Sequence, residues 1–151
     1  MKPVVTVMSA LLFSLTALSS SNALAAAAAS AAVAVEEKII YHVSDSSNAA
    51  TALRNARNHL DQSPKAKIVF VTHGPGIDFL LDGAQDKNGN PYDIAIQELA
   101  GKKVEFRVCN NTLVSRNIDK SKLLPEASIV PSGVAEVSRL QIREGFAYIK
   151  P

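Results

Sequence analysis

Short apolar runs alternate along the chain with segments of helical periodicity. The apolar runs lie at residues 39–43, 68–71, 104–108, 128–130 and 146–149. In the clearest helical segment the apolar positions share one face: Ala49, Ala52, Leu53, Ala56 and Leu60. The alternation predicts five β-strands separated by α-helices.

Turn and capping residues set the limits of the remaining predicted helices. Residues 82–90 lack periodicity and are predicted to form an exposed loop, after which Asn90-Pro91 predicts a helix start and Gly101 its end. Two later helices are predicted to follow strands, with starts at Asn110 or Asn111 and at Ser132-Gly133.

This order of elements indicates a fold class. Strands that alternate with helices form right-handed crossovers and a mostly parallel sheet. We therefore predict an α/β fold, a three-layer α/β/α domain with about five mostly parallel strands. Ligands of such sheets bind at the carboxyl edge of the strands. Four predicted loops meet at that edge: residues 44–45, 73–76, 109–111 and 131–133.

The beginning of the chain has the pattern of an export signal. Met1-Lys2 is followed by a mostly apolar stretch at residues 4–18, and Ala23-Leu24-Ala25 offers a cleavage site for signal peptidase. We expect three parts: a signal peptide at residues 1–25, a flexible Ala-rich tether at 26–37 and one domain at 38–151. The mature protein is then expected in the periplasm without a membrane span, and an uncleaved anchor is the alternative.

Composition and motifs argue against several classes of partner and cofactor. A net charge of +2 gives no basic field for nucleic acid. Neither a Walker loop nor a dinucleotide-binding glycine pattern occurs, so no nucleotide cofactor is predicted. His42, His73 and Cys109 lack the short-range spacing of metal ligands, and no metal site is predicted.

Cys109 is the first candidate for chemistry. It is the only cysteine in the chain, so it forms no internal disulfide. It follows the third predicted strand and precedes a predicted helix start, where backbone N–H groups and the helix dipole stabilise a thiolate. The alternative is a small buried core residue.

The other candidate site residues lie in the same loops. His73 has an imidazole that exchanges protons near neutral pH, and it is a candidate partner for the thiol. Six residues are candidates for substrate binding through N–H, hydroxyl or amide groups: Gly74, Asn110, Asn111, Thr112, Ser132 and Gly133. Each candidate has a structural alternative. His73 is then a loop histidine bonded to backbone, the polar residues cap helices, and the glycines are required by tight turns.

Three further polar residues bear on the site. Arg116 is predicted one to two turns beyond Cys109, where it either lowers the thiol pKa or remains a solvated charge. His42 is expected to pack or hydrogen-bond within the fold, and His59 is expected to face water.

The chain resembles the DsrE/DsrF-like family from about Lys38 to Pro151. The residues that carry the resemblance are Tyr41-His42-Val43-Ser44-Asp45, Asn55-Ala56-Arg57-Asn58, His73-Gly74-Pro75-Gly76, Cys109-Asn110-Asn111-Thr112-Leu113, Leu123-Leu124-Pro125, Pro131-Ser132-Gly133-Val134-Ala135-Glu136 and Gly145-Phe146-Ala147-Tyr148-Ile149-Lys150-Pro151. The resemblance implies a flavodoxin-like domain that assembles into dimers, trimers or hexamers. In relatives that act in sulfur oxidation and tRNA thiolation, a cysteine at the position matched by Cys109 accepts persulfide sulfur and passes it on.

Two functions follow as expectations. The first is an exported sulfur-handling protein in which Cys109 accepts and carries a persulfide and exchanges sulfur with a donor or acceptor protein. Such a protein is either a sulfurtransferase or a sulfur carrier without enzymatic activity. The second is a non-catalytic periplasmic binding or oligomeric assembly module in which Cys109 is structural. The export signal separates this chain from the cytoplasmic relays of its relatives.

Overall fold

The computed structural model describes residues 36–151. The predicted signal peptide and residues 26–35 of the predicted tether lie outside the described residues. Within the described part, five parallel strands form one sheet in the order β4-β3-β2-β1-β5. The strands are β1 (Lys38–Val43), β2 (Lys67–Thr72), β3 (Glu105–Cys109), β4 (Ala127–Val130) and β5 (Ala147–Ile149).

Four α-helices connect these strands. They are α1 (Ala49–Gln62), α2 (Asp93–Gly101), α3 (Asn110–Ser115) and α4 (Gly133–Glu144). Short 3₁₀ segments lie at Ser46–Asn48, Gly74–Leu80 and Lys120–Lys122. Within residues 36–151, no helix has the length and apolar character needed to cross a membrane.

The sheet lies between two helical layers, which confirms the predicted three-layer α/β fold. On one face, α1 and α2 cover the larger core, in which the Phe70 ring stacks on Tyr41 at 5.3 Å and on Phe106 at 4.9 Å between ring centroids. On the other face, α4 covers a smaller apolar cluster that includes Val69 and Leu140. The continuous apolar strands are explained by this burial on both faces.

The predicted start of the second helix at Pro91 is wrong. The helix α2 begins at Asp93, and Pro91 instead forms an isolated antiparallel bridge with Gln85. The Tyr92 N–H donates to the Ala84 carbonyl at 3.1 Å, so this segment is held against the preceding loop before the helix begins. Backbone contacts with the preceding loop therefore override the helix-start preference of proline.

Gly76 places the turn after β2 directly against the end of β1. A Cβ atom at this position would lie 2.1 Å from the Val43 carbonyl oxygen and 2.8 Å from the Ser44 carbonyl carbon. Only glycine permits this approach, because the atoms in the way belong to the backbone and have no rotamer to change. The contact fixes the loops after β1 and β2 beside each other.

We predict that Gly76→Ala destabilises the domain by about 3 kcal/mol or more, because the backbone of β1 or of the turn must move. The measurement is urea unfolding followed by circular dichroism. Gly101→Ala is the matched control, since a Cβ there meets nothing within 4 Å and the residue ends a helix. This control should be neutral or stabilising by up to about 1 kcal/mol, and equal unfolding midpoints for the two variants would contradict the prediction.

Candidate functional site

Cys109 lies where β3 ends and α3 begins. It is the last residue of the strand and the N-cap of the helix, with extended backbone angles. The residue is buried, with 5% of its surface exposed. The predicted position at a strand end before a helix start is confirmed.

The surroundings of Cys109 favour its charged form. Burial alone raises the pKa of the thiol, but polar donors around the sulfur outweigh burial and lower the pKa from its ordinary value. These donors are the Gly133 N–H, followed by the hydroxyl and N–H of Thr112 and the N–H of Asn111.

The strongest of these donors comes from α4, not from the helix that follows the cysteine. Gly133 is the first residue of α4, so its N–H is one of those at the helix start that have no partner within the helix. Ser132 caps the same helix by accepting from the Ala135 N–H at 3.3 Å. The helix α3 has only six residues. The sequence indicated stabilisation of the thiolate by the helix that follows Cys109. In the structure that helix supplies only part of the effect, and α4 supplies the rest.

Gly133 also brings Cys109 and His73 together. A Cβ at Gly133 would lie 3.2 Å from the Cβ of Cys109, 3.2 Å from the Cβ of His73 and 3.0 Å from the Thr72 carbonyl oxygen. The Cβ atoms of Cys109 and His73 are therefore separated by at most twice 3.2 Å, and both lie against the backbone of Gly133. The predicted meeting of these loops at the carboxyl edge is confirmed.

Thr112 and Arg116 hold the turn after β2 in place. The Gly74 N–H donates to the Thr112 hydroxyl at 2.9 Å, which leaves the hydroxyl hydrogen free for the Cys109 sulfur. Arg116 donates to the Gly74 carbonyl at 3.2 Å and to the Asp78 carboxylate at 2.6 Å. Arg116 therefore fixes the turn, and the Gly74 N–H predicted to bind substrate already has a protein partner.

The remaining predicted binding residues lie on the same edge. Asn110 is half-buried, and its side-chain oxygen Oδ1 has no hydrogen-bond partner within the described chain. Asn111 is exposed, and its N–H donates to the Pro131 carbonyl at 3.4 Å. Substrate binding by these residues stays a prediction.

His42 and Tyr148 extend the site beyond the predicted residues. The His42 Nδ1 atom lies 2.7 Å from the Tyr148 hydroxyl, and the His42 ring lies 4.8 Å from the His73 ring between centroids. The hydrogen bond confirms that His42 is engaged within the fold. The sequence does show a polar side chain near the end of each strand that carries these residues. It does not show the strand order that brings His42 and Tyr148 together.

The two imidazoles are held in their neutral form. Burial lowers the pKa of His42 most, and the neighbouring His73 and then the Lys150 ammonium lower it further. Burial and then Lys150 likewise lower the pKa of His73 from its ordinary value. A neutral His73 beside the thiol is able to accept a proton.

The expectation that His59 faces water is wrong. The side chain is 18% exposed, with Nε2 2.7 Å from a Glu37 carboxylate oxygen and Nδ1 3.2 Å from the Tyr41 hydroxyl. Its position near the end of α1 brings it over β1, where a polar partner from the strand replaces solvent. His59 lies on the α1 face, away from His42 on the α4 face.

An ion-pair network attaches α4 to the sheet below the site. The buried Glu136 carboxylate of α4 binds Arg107 of β3 and also accepts from Arg139 at 2.7 and 2.9 Å. Arg107 also pairs with Glu105. The network aligns α4 so that Gly133 meets the ends of β2 and β3.

Two of the cavities lie at the other edge of the sheet. One of about 540 Å³ is lined by α1 and α2 ends, including Leu60, Pro64 and Lys102, and contains neither cysteine nor histidine. Among residues 36–151, no three His, Cys, Asp or Glu side chains are grouped to hold a metal ion. The thiol edge is therefore the candidate functional site.

Comparison with known proteins identifies the family. The sequence model of the DsrE/DsrF-like family matches residues 16–151. The chain belongs to this family. The DsrE-like family is associated with sulfur relay. No protein of curated function matches the chain.

Two solved structures share this DsrE-like fold. The protein of unknown function MTH1491 from Methanobacterium thermoautotrophicum is 29% identical, with a TM-score of 0.68 over 77% of this chain and 100% of that chain. The YchN protein from E. coli is 14% identical, with a TM-score of 0.61 over 77% of this chain and 98% of that chain. The second likeness concerns the fold alone.

We predict that Cys109 reacts with iodoacetamide with a pH midpoint below the ordinary thiol value of ~8.5, because the donors stabilise the thiolate. Thr112→Val removes one donor and should raise this midpoint and slow alkylation at pH 7 about fivefold. Thr112→Ser keeps the hydroxyl and serves as the control. Intact-mass spectrometry measures the rate of alkylation. Equal rates and pH midpoints in the wild type and both variants would contradict the prediction.

We also predict that the domain loses stability as the pH falls from about 7.5 to 5.5. The unfolded chain binds protons at histidine near pH ~6.5, whereas the lowered pKa values of His42 and His73 keep the folded form neutral, so acid favours unfolding. His42→Gln should flatten this dependence, and Lys65→Gln at the opposite edge should retain it. Urea unfolding at each pH tests the slopes, and identical slopes in the wild type and His42→Gln would refute this assignment.

Proposed function

We propose that this protein is an exported sulfur-handling member of its family, in which Cys109 accepts sulfane sulfur and carries it as a persulfide. The observation that carries the proposal is a thiol of lowered pKa at the carboxyl edge, beside a neutral His73. A persulfide is also anionic near neutral pH, so the donors that favour the thiolate favour the product.

The proposed reaction transfers one sulfur atom between thiols. His73 takes the proton of the Cys109 thiol, and the thiolate attacks the outer sulfur of a donor persulfide. A new S–S bond forms at Cys109, the donor S–S bond breaks, and its electron pair leaves on the donor thiolate. The proton held by His73 returns to that leaving group, so the transfer consumes no oxidant or reductant.

Location and assembly form part of the proposal. The export pattern at residues 1–25 supports a periplasmic protein that exchanges sulfur with donor or acceptor proteins of that compartment. We propose a homo-oligomer, dimer, trimer or hexamer, because α4 exposes Val134 at 63% and Ile142 at 81% on its outer face.

One observation favours the alternative of a binding or assembly module with a structural cysteine. Cys109 is 5% exposed, as are many cysteines that serve as small core residues. A sulfur carrier requires the thiol to be reached by a donor, whereas a structural thiol reacts only after unfolding. The two functions therefore differ in one measurable property of the folded protein.

We predict that the folded protein gains one sulfur atom per chain when treated with polysulfide, and that dithiothreitol removes it. Intact-mass spectrometry measures the adduct, and Cys109→Ser is the control that should gain none. His73→Gln should slow the uptake at pH 7 about tenfold or more, because the thiol loses its proton acceptor. An unmodified wild type whose thiol reacts only in denaturant would exclude sulfur carriage and leave the binding module.

A further inference from the structure

Four neighbouring strands direct one polar side chain each to the α4 face near the carboxyl edge. Cys109 ends β3, His73 follows β2, His42 lies in β1 and Tyr148 lies in β5. His42 is paired in register with Val71, which shares its face with His73 two residues later. Thiol, imidazoles and phenol therefore form a continuous row on the α4 face, beside the apolar cluster that includes Val69 and Leu140.

The row contains hydrogen-bonding capacity that the described chain does not use. The His42 Nε2 atom is buried and has no partner within residues 36–151, while its Nδ1 is occupied by Tyr148. A buried polar nitrogen without a partner carries a desolvation cost, and such groups commonly face a ligand or an ordered water. This nitrogen lies in the ring adjacent to His73.

Within the described chain, positive charge near the row is not offset by a carboxylate bound to either imidazole. Lys150 lies directly after β5, two residues beyond Tyr148, and its ammonium lowers the pKa of both imidazoles. From the other packed elements, β3 contributes Cys109, β5 contributes Tyr148, and α4 contributes Glu136, whose carboxylate is already bound by Arg107 and Arg139. Among the ion pairs and hydrogen bonds of residues 36–151, none joins a carboxylate to His42 or His73.

We propose that His42, His73 and Lys150 form an anion subsite beside Cys109, which holds the oxygens of a small sulfur oxyanion of the thiosulfate class. This inference deepens the proposed function and rests on it. Imidazole N–H groups and an ammonium donate to the oxyanion, and its charge in turn offsets the positive charge of Lys150. The sulfane sulfur then faces the thiol.

The subsite has a defined part in the reaction. The Cys109 thiolate forms a bond to the sulfane sulfur of thiosulfate, and the bond between that sulfur and the sulfonate group breaks. The electron pair leaves with sulfite, which carries two negative charges, and Cys109 holds a persulfide anion. Donors already in place around the departing oxyanion stabilise the charge that develops on it.

The test uses the full-length Cys109→Ser chain, which has no thiol to react, so that only binding is observed. The chain contains three histidines, so each ring is followed separately by NMR while thiosulfate replaces chloride at constant ionic strength. We expect saturable shifts and a raised pKa at His42 and His73, with His59 on the other face as the internal control. In this background Lys150→Gln should weaken binding about threefold and His42→Gln about tenfold, whereas Lys65→Gln should not change it.

Each outcome decides the inference. Saturable shifts that weaken in the Lys150 and His42 variants support the subsite. Shifts that do not saturate, or that fall equally in Lys65→Gln and Lys150→Gln, overturn it, because they report screening by ions alone. Absence of any shift also overturns it, even if the wild type takes sulfur from polysulfide. Conversely, specific binding in a protein whose thiol never becomes persulfidated supports the subsite and refutes the proposed function.

Discussion

The geometry of the thiol edge depends on one close approach. The helix α4 begins where β2 and β3 end, and its first residue, Gly133, has only a hydrogen where a side chain would contact Cys109, His73 and the Thr72 carbonyl. The same backbone supplies the strongest donor to the sulfur. Gly133 therefore sets both the packing and the electrostatics around Cys109. The ion pairs of Glu136 hold α4 in the alignment that brings Gly133 against the strand ends.

Two opposing effects act on Cys109, and their balance gives the residue its character. Removal from water penalises the thiolate, as it does any buried charge. Four donors from two helix starts reverse the sign of the shift. The burial that protects the sulfur from solvent therefore coexists with stabilisation of its ionised form.

The fold was predictable from the sequence because each strand is a buried apolar run and each helix has one apolar face. The approach of Cys109 and His73 was predictable as well, since parallel strands end at a common edge. His42 and Tyr148 required the strand order, which depends on pairing between β1 and β5 over a long sequence separation. The errors at Pro91 and His59 both come from contacts outside the helix concerned. Pro91 forms a bridge with Gln85 of the preceding loop, and His59 forms a hydrogen bond with Tyr41 of β1.

The outer strands of the sheet limit how copies of this domain can associate. The strand β4 has four residues and is followed by Pro131, and β5 has three residues and is soon followed by Pro151. Short edges next to residues without an N–H donor offer few backbone groups for another strand. A continuous intermolecular sheet is thus disfavoured at both borders, and self-association through helical surfaces leaves the hydrogen-bonding pattern of each sheet unchanged.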